Sequence, residues 1–377
     1  MSTIFSSVAC NLDTNILLAS LPLFEREQIE AIEWSFDTLF KNDEVPDWFS
    51  DLILEFSSQN RLIGHGVYFS LFSGKWMSEQ QDWLKKLKIL GERFQFDHIT
   101  EHFGFMTGAN FHKGAPISIP LTASTMSLGV DRLHRIQDAC NCPVGLENLA
   151  FSFSLDEVKR QGNFLDKLVE SINGFIILDL HNLYCQIHNF DVDYDYIIDL
   201  YPLERVREIH ISGGSWDIQL TRTGKKVRRD THDDAVPEEV FQILSAVIPR
   251  CTNLKFVVLE QLGTALDSEV KRTRFRSDFE RMDAIVKQSG LALSNSPVNN
   301  FKPHHKITPH LIPLEDLSLY NQQLQLSTIL ETAVDQQHAR HLLLNSDLRD
   351  SVWEVEKWDP CMLQTAIAIA QKWKDGF

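Results

Sequence analysis

The sequence is short of paired cysteines: its six cysteines are scattered along 377 residues, and none of them forms a C-x-x-C pair. A chain of this length buries a large core without disulfide staples, so we expect free thiols in a reducing compartment. Cys140 and Cys142 are close together, but no second pair stands beside them to complete a zinc site. We interpret both as small apolar residues.

Long apolar runs are absent as well. No run approaches the roughly 20 residues that a membrane-spanning helix needs. The first residues, M-S-T-I-F-S-S-V, lack the basic start of a signal peptide. We therefore expect a cytoplasmic protein without a membrane partner.

Basic residues are in the minority: 36 Lys and Arg stand against 52 Asp and Glu, which gives a formal net charge of −16. A nucleic-acid-binding protein presents a basic face to the phosphate backbone, so we expect no nucleic-acid partner. A short basic run, K-K-V-R-R, lies at residues 225–229. We interpret it as a solvated loop, and the alternative is that it steers an acidic peptide towards the protein.

Eight short apolar runs alternate with helix-like stretches, which is the pattern of strand–helix units. Eight such units over about 260 residues predict an α/β fold of the TIM type, a (β/α)8 barrel. A doubly wound open sheet is the alternative, but no G-x-G-x-x-G or P-loop motif supports it. The predicted strands are residues 6–10, 29–35, 61–71, 96–101, 144–149, 175–180, 206–212 and 256–260.

Capping residues indicate where several helices begin. Ser154 opens a capping box in which Glu157 reaches back, Pro237 predicts a first helical turn, and Asp359 predicts an N-cap for a helix over residues 360–373. After residue 290 the sequence becomes rich in Asn, Pro and Ser, which predicts a linker. We divide the chain into a metal-binding barrel of residues 1–290, a linker of 291–313 and a small helical C-terminal extension of 314–377.

Metal-competent side chains end most of the predicted strands. A carboxylate or imidazole at the end of a buried apolar strand is costly unless something pairs with it. In a barrel these ends converge on one face, where active sites are built. So many carboxylates would repel one another, and metal cations are the simplest counter-charge. The candidates are His65 on the third strand, Glu101 and His102 on the fourth, Glu147 on the fifth, Asp179 and Asn182 on the sixth, His210 on the seventh, Glu260 on the eighth, and Asp230 and His232 in the loop after the seventh.

The donor types narrow the choice of metal. Imidazole and carboxylate ligands without thiolate suit iron, manganese or zinc, and more than four candidates predict two or three ions. Asn182 is either a direct carbonyl ligand or a hydrogen-bond partner of a ligand, and the role of His181 stays open. His98 shares a strand face with His102 but lies about 13 Å lower, so we expect it to pack in the core.

Seven runs that carry these residues resemble one known family. In chain order they are I-G-H-G-V, I-T-E-H-F-G-F, S-I-P-L-T, G-L-E-N-L-A, L-D-L-H-N-L-Y, R-V-R-E-I-H-I-S-G and D-T-H-D-D-A-V-P-E-E-V. The sequence looks like the multinuclear non-haem iron-dependent oxidases of ribosomal peptide natural-product biosynthesis, which include the methanobactin oxazolone and 3-thiaglutamate biosynthetic oxidases. The resemblance covers residues 6–263.

The resemblance implies a barrel with two or three irons, Fe2+ or Fe3+, that uses O2 to modify a residue of a ribosomally made precursor peptide. The usual target is a cysteine, and a small partner protein presents the peptide. Two runs depart from the family pattern: His181–Asn182 stands where the family often has two asparagines, and Gln261–Leu262 stands where it commonly has Trp–Asp. The implied ligands are His65, His102, Glu147, Asp179, His210, Asp230, His232 and Glu260, with Glu101 and Asn182 supporting.

From these residues we expect the irons to bind the substrate thiolate and O2, which both activates and orients the reacting groups. Asp230 and His232 would complete a third site or act as acid–base groups, and Glu101 would assist them. One alternative is a divalent-metal-dependent sugar isomerase or related metal-dependent barrel enzyme, which would ignore O2. A second alternative is a non-catalytic peptide-binding scaffold.

Overall fold

A computed structural model describes residues 4–40, 45–108, 113–217, 225–290, 299–302, 309 and 311–375. Eight parallel strands close into a barrel, in which each strand pairs with its neighbours in the sequence and the first pairs with the eighth. The predicted (β/α)8 fold is confirmed. The barrel strands are β1 (Phe5–Ala9), β2 (Ala31–Trp34), β3 (Leu62–Gly66), β4 (His98–His102), β5 (Val144–Glu147), β6 (Phe175–Asp179), β7 (Val206–Ile211) and β8 (Phe256–Leu259).

The strands are apolar for most of their length because both of their faces are buried. In β6, which reads F-I-I-L-D, every residue is buried. Successive side chains alternate between the barrel interior and the surrounding helices. His98, Thr100 and His102 therefore point inward along β4, while Ile99 and Glu101 point towards the helices. This alternation decides which strand residues can meet at the centre of the barrel.

Helices surround the barrel, and their starts follow the capping residues. At the start of the helix Leu155–Glu170 the Ser154 hydroxyl accepts a hydrogen bond from the Glu157 N–H at 3.3 Å, as predicted, whereas the Glu157 carboxylate accepts from the Phe153 N–H at 2.8 Å. Among the described residues, no helix has both the length and the apolar composition needed to cross a bilayer. The helices are α1 (Thr14–Glu25), α2 (Asp47–Ser58), α3 (Ser78–Arg93), α4 (Ala123–Cys140), α5 (Leu155–Glu170), α6 (Leu180–Phe190), α7 (Tyr194–Ile198), α8 (Glu238–Val247) and α9 (Glu269–Gly290).

Three further helices form the C-terminal extension: α10 (Leu317–Thr332), α11 (Gln336–Leu344) and α12 (Pro360–Trp373). The Asp359 carboxylate caps α12 by accepting from two backbone N–H groups, which confirms the predicted cap. Most of the predicted linker, residues 291–313, lies outside the described residues, so the division of the chain at residue 290 stays a prediction.

The extension packs on the loops that follow β3, β4 and β5 at the C-terminal end of the barrel. The Gln323 amide donates to the Phe72 carbonyl at 2.8 Å, after β3. Trp353 contacts Phe105, after β4, with 5.8 Å between ring centroids. After β5, Phe153 stacks on Trp358 with 3.6 Å between centroids. The extension therefore covers one part of the rim on which the predicted metal ligands lie.

We expect Trp358→Ala to detach this extension partly and to lower the free energy of unfolding by about 3 kcal/mol, because a buried ring and its stacking partner lose their contact. Chemical denaturation and limited proteolysis of the chain after residue 313 would measure the effect. Trp48→Ala is the matched control, since the Trp48 side chain is 54% exposed, and its stability should stay within about 0.5 kcal/mol of the parent. Equal stability of the two variants would contradict the prediction.

Candidate metal centre

Imidazole and carboxylate side chains of the described residues form four overlapping groups of candidate ligands, and three of these groups lie at the C-terminal ends of the barrel strands. In each group the candidate ligand atoms lie within 4.8 Å of one another. Glu147 belongs to the first and second groups, and Asp179 belongs to the second and third. These three groups are His65–His102–Glu147, Glu147–Asp179–His210 and Asp179–His232–Glu260, and the fourth, Glu33–Glu208–His210, shares His210 with the second.

Hydrogen bonds orient both histidines of the first group. Thr100 donates its hydroxyl proton to the Gly64 carbonyl at 3.2 Å, so its oxygen accepts from the Nδ1–H of His65 at 2.8 Å. His102 donates from Nδ1 to the Gly66 carbonyl at 3.2 Å. Each ring therefore presents an unprotonated Nε2.

Both Nε2 atoms face the same carboxylate oxygen. The Glu147 Oε2 atom lies 3.5 Å from Nε2 of His65 and 3.3 Å from that of His102. Burial lowers the pKa of His102, and burial together with the neighbouring His102 lowers the pKa of His65 well below its usual value. Two nitrogen lone pairs and an anionic oxygen repel one another unless a metal cation or a proton lies between them.

The second group contains buried polar atoms without partners. Asp179 accepts a hydrogen bond from the Asn182 N–H at 2.5 Å through Oδ1, while its Oδ2 has no hydrogen-bond partner among the described residues. The Asn182 amide donates to Glu147 at 3.3 Å, and its own Oδ1 is also buried without a described partner. Unpaired buried oxygens of this kind are costly, and a cation in the group would satisfy them.

The third group is closer to solvent. Glu260 lies 3.4 Å from Nδ1 of His210 and 3.4 Å from Nδ1 of His232. On its other side, His232 Nε2 lies 2.9 Å from Asp230 Oδ1, and the side chains of His232 and Asp230 are 18% and 22% exposed. Asp230 also accepts from Nδ1 of His181 at 2.9 Å. Asp230 therefore connects the third group to His181.

The pKa values show how many charges are crowded here. Burial, with the nearby Asp230, raises the pKa of Asp179 to about 7, and burial raises the pKa of Glu147 well above its usual value. Burial alone lowers the pKa of His232, but the carboxylates of Asp230 and Glu260 raise it well above normal. Where no metal ion is bound, protons on Glu147, Asp179 and His232 therefore balance the negative charge of the crowded carboxylates.

The donor set fits metal ions: it combines imidazole nitrogens that carry free lone pairs, shared carboxylates and unpartnered oxygens, without a thiolate. The structure brings together seven of the predicted ligands in these groups, which are His65, His102, Glu147, Asp179, His210, His232 and Glu260. Asn182 and Asp230 contact them directly.

Glu101 lies apart from the three groups. Its buried carboxylate accepts from the backbone N–H groups of Phe69 at 3.3 Å and His102 at 3.1 Å. It points away from the barrel interior and lies against Gly66, where any larger side chain would collide with it. It holds the loop after β3 in place, and its assistance in catalysis stays a prediction.

Sequence reasoning missed two acids below His210. Glu33 Oε2 and Glu208 Oε1 lie 3.0 Å and 3.3 Å from Nε2 of His210, so that ring presents Nδ1 to the second and third groups. Glu208 stands two residues before His210 on β7, and that spacing places both on one strand face. His98, predicted to pack in the core, is fully buried and bonded to Glu208 at 2.7 Å.

Comparisons with known proteins identify related sequences. A family model described as "RiPP precursor modification enzyme MbnB/TglH/ChrH" matches residues 32–268. A "UPF0276 protein" of Caulobacter vibrioides is 26% identical over 188 residues, which cover 49% of this chain and 64% of that protein. One from Acaryochloris marina is 28% identical over 209 residues, which cover 54% and 63%. The matches thus span less than two thirds of the relatives' length.

Solved structures are more distant. A "xylose isomerase-like TIM barrel/4-hydroxyphenylpyruvate dioxygenase fusion protein" aligns with a TM-score of 0.49 and 12% sequence identity, over 78% of this chain and 46% of that one. This likeness is too weak to support an argument. The fold assignment rests instead on the closed order of the eight strands.

Proposed function

Because the chain belongs to the family of RiPP precursor modification enzymes MbnB/TglH/ChrH, we propose that it is a multinuclear iron-dependent oxidase that uses O2 to modify a cysteine of a ribosomally made precursor peptide. The observation that carries the proposal is the sharing of Glu147 and Asp179 among three groups of ligand atoms. Shared carboxylates suit adjacent cations, and imidazole–carboxylate ligation suits iron.

In this proposal the three groups hold two or three irons. When bound, iron supplies Lewis acidity, thiolate activation and redox chemistry. The protein keeps the lone pairs of its histidines aimed at the ions through partners such as Thr100 and Glu208. His232 and Asp230, the more exposed pair, would hold or accept the proton that the substrate thiol loses.

The C-terminal extension covers one side of the barrel rim, and the peptide would reach the metal centre from the other side. Helices α10 to α12 cover the loops after β3, β4 and β5, as described above. The side chains of Asp230 and His232, which follow β7, are 22% and 18% exposed. On the covered side, His65 and Glu147 are nearly buried, and His102 at the end of β4 is 24% exposed. We propose that the peptide approaches from the β6–β8 side, that a small partner protein presents it there, and that the reaction takes place in the cytoplasm.

Metal analysis and O2 uptake test the proposal together. Protein purified without air should contain two or three irons per chain. It should consume O2 with its Cys-containing precursor peptide, and not with the same peptide in which serine replaces the cysteine. Full activity towards a sugar with manganese, magnesium or cobalt, and no response to O2, would favour the isomerase instead. Peptide binding without any turnover would favour the scaffold.

A further inference from the structure

We propose that Arg228 forms a subsite that binds a carboxylate group of the substrate beside the metal centre. The inference rests on the proposed function in so far as it takes the substrate to be a peptide. Its chemical content, a guanidinium that binds a carboxylate, follows from the surroundings of Arg228 alone.

Arg228 is a buried cation without a counter-ion in the part of the chain that the structure describes. Its relative exposure is 5%, and no carboxylate of the described residues pairs with it, whereas the neighbouring Arg229 pairs with Asp217 at 3.4 Å. Residues 218–224, which connect the short strands Trp216–Asp217 and Val227–Arg228, read I-Q-L-T-R-T-G and contain no acid. A buried charge without a partner is strongly destabilising, so the arrangement favours binding of an anion.

The guanidinium is held rigidly. Its Nε donates to Nε2 of His181 at 3.1 Å, and the rings of Tyr184 and Trp216 lie 5.4 Å and 5.3 Å from its carbon. The Asn189 side chain fixes the backbone, accepting from the Arg228 N–H at 2.8 Å and donating to its carbonyl at 3.0 Å. The terminal N–H groups are left as a planar fork, whose geometry matches a carboxylate.

His181 connects this fork to the metal centre. Because Nε2 of His181 accepts from Arg228, its proton lies on Nδ1, which donates to Asp230 at 2.9 Å. Asp230 in turn contacts His232 of the third group. Gly214 leaves room for the imidazole, since a Cβ there would lie 2.9 Å from it. A carboxylate bound to Arg228 would thus lie on the β6–β8 side, which the extension leaves uncovered.

A peptide offers two such carboxylates: the C-terminal α-carboxylate and an acidic side chain. Three probes separate them, namely N-acetyl-L-cysteine, N-acetyl-L-cysteine amide and N-acetyl-L-aspartyl-L-cysteine amide. Calorimetry on metal-loaded protein without air would measure their binding. At least one of the two acids should bind about tenfold more tightly than the cysteine amide, as expected for a charge-assisted bidentate pair, and the preferred acid identifies the source.

Substitutions of Arg228 and of its neighbour Arg229 test whether Arg228 causes the preference for the acid probes. Arg228→Gln should bind acid and amide equally, while the matched control Arg229→Gln, which removes the same charge from an arginine that has a partner, should keep the tenfold preference. Arg228→Lys keeps the charge but loses the fork, and it should keep less than about a third of the preference. Equal binding of acid and amide by the parent protein, or a full preference in either Arg228 variant, would overturn the subsite. The binding needs no turnover, so a failure of this test is distinguishable from a failure of the O2-uptake test of the proposed function.

Discussion

Glu147→Ala should lose most of its bound metal and more than a hundredfold of its peptide-dependent O2 uptake. Glu147 lies in two of the three ligand groups, with Oε2 facing His65 and His102. Without Glu147, Nε2 of His65, Nε2 of His102 and the unpartnered Oδ2 of Asp179 would lose the carboxylate that the first two ligand groups share. Loss of a mere partner of a ligand costs about 10–100-fold, so loss of a shared ligand should exceed that range.

Elemental analysis and an oxygen electrode would measure the two effects on the same preparation. The matched control is Asp234→Ala, which removes one carboxylate from the same rim, at a side chain that is 64% exposed. It should keep its metal and its O2 uptake. Unchanged turnover in Glu147→Ala would refute the assignment of the centre.

Metal removal should destabilise the protein, and the loss should be larger at pH 8 than at pH 6. Without metal, the raised pKa of Asp179, about 7, and that of Glu147 mean that the folded state takes up protons that the unfolded state has already released. Stability of the metal-free protein therefore falls as the pH rises from the unfolded value near 4 towards the folded value.

The two histidines whose pKa is raised, His210 and His232, act in the same direction. The pKa of His210, raised well above normal mainly by Glu33 against the effect of burial, gives stability that is present below its unfolded value of about 6.5 and is lost as the pH rises through its folded value. Protons thus replace the metal only at low pH. The metal-dependent difference should grow by a few kcal/mol between pH 6 and pH 8.

Differential scanning calorimetry with chelator, and again after metal is returned, would measure this difference. Asp179→Asn is the companion variant: it removes one of the titrating groups, so its metal-free form should depend less on pH than the parent. Identical melting temperatures with and without metal at pH 8 would contradict the prediction.

The barrel and most of its centre could be predicted because strand ends in this fold converge on one face. His65, Glu147 and His210 each end an apolar strand, and their position along the chain was enough to predict that they meet. Glu101 shows that a position at the end of a strand does not by itself decide whether a side chain faces the barrel interior. It is next to His102 in sequence, but alternation turns it towards the helices.

Other features depend on partners that are distant in sequence. That His98 is held by Glu208, 110 residues away, follows only from the closed barrel. The stacking of Trp358 on Phe153 likewise joins the extension to a loop that no local pattern identifies. The role of His181 could not be predicted because it depends on Arg228, which lies in a short strand within the basic run of residues 225–229.

The sharing of ligands has a consequence for the living cell. An ion in the middle group would be held by Glu147 and Asp179, and each of these also belongs to a neighbouring group. Filling one position would then prepare the next, because the shared carboxylate would already be deprotonated and fixed. The fraction of protein that is fully loaded would then rise steeply with the concentration of free metal, so that metal scarcity would switch the proposed activity off at a threshold instead of slowing it in proportion.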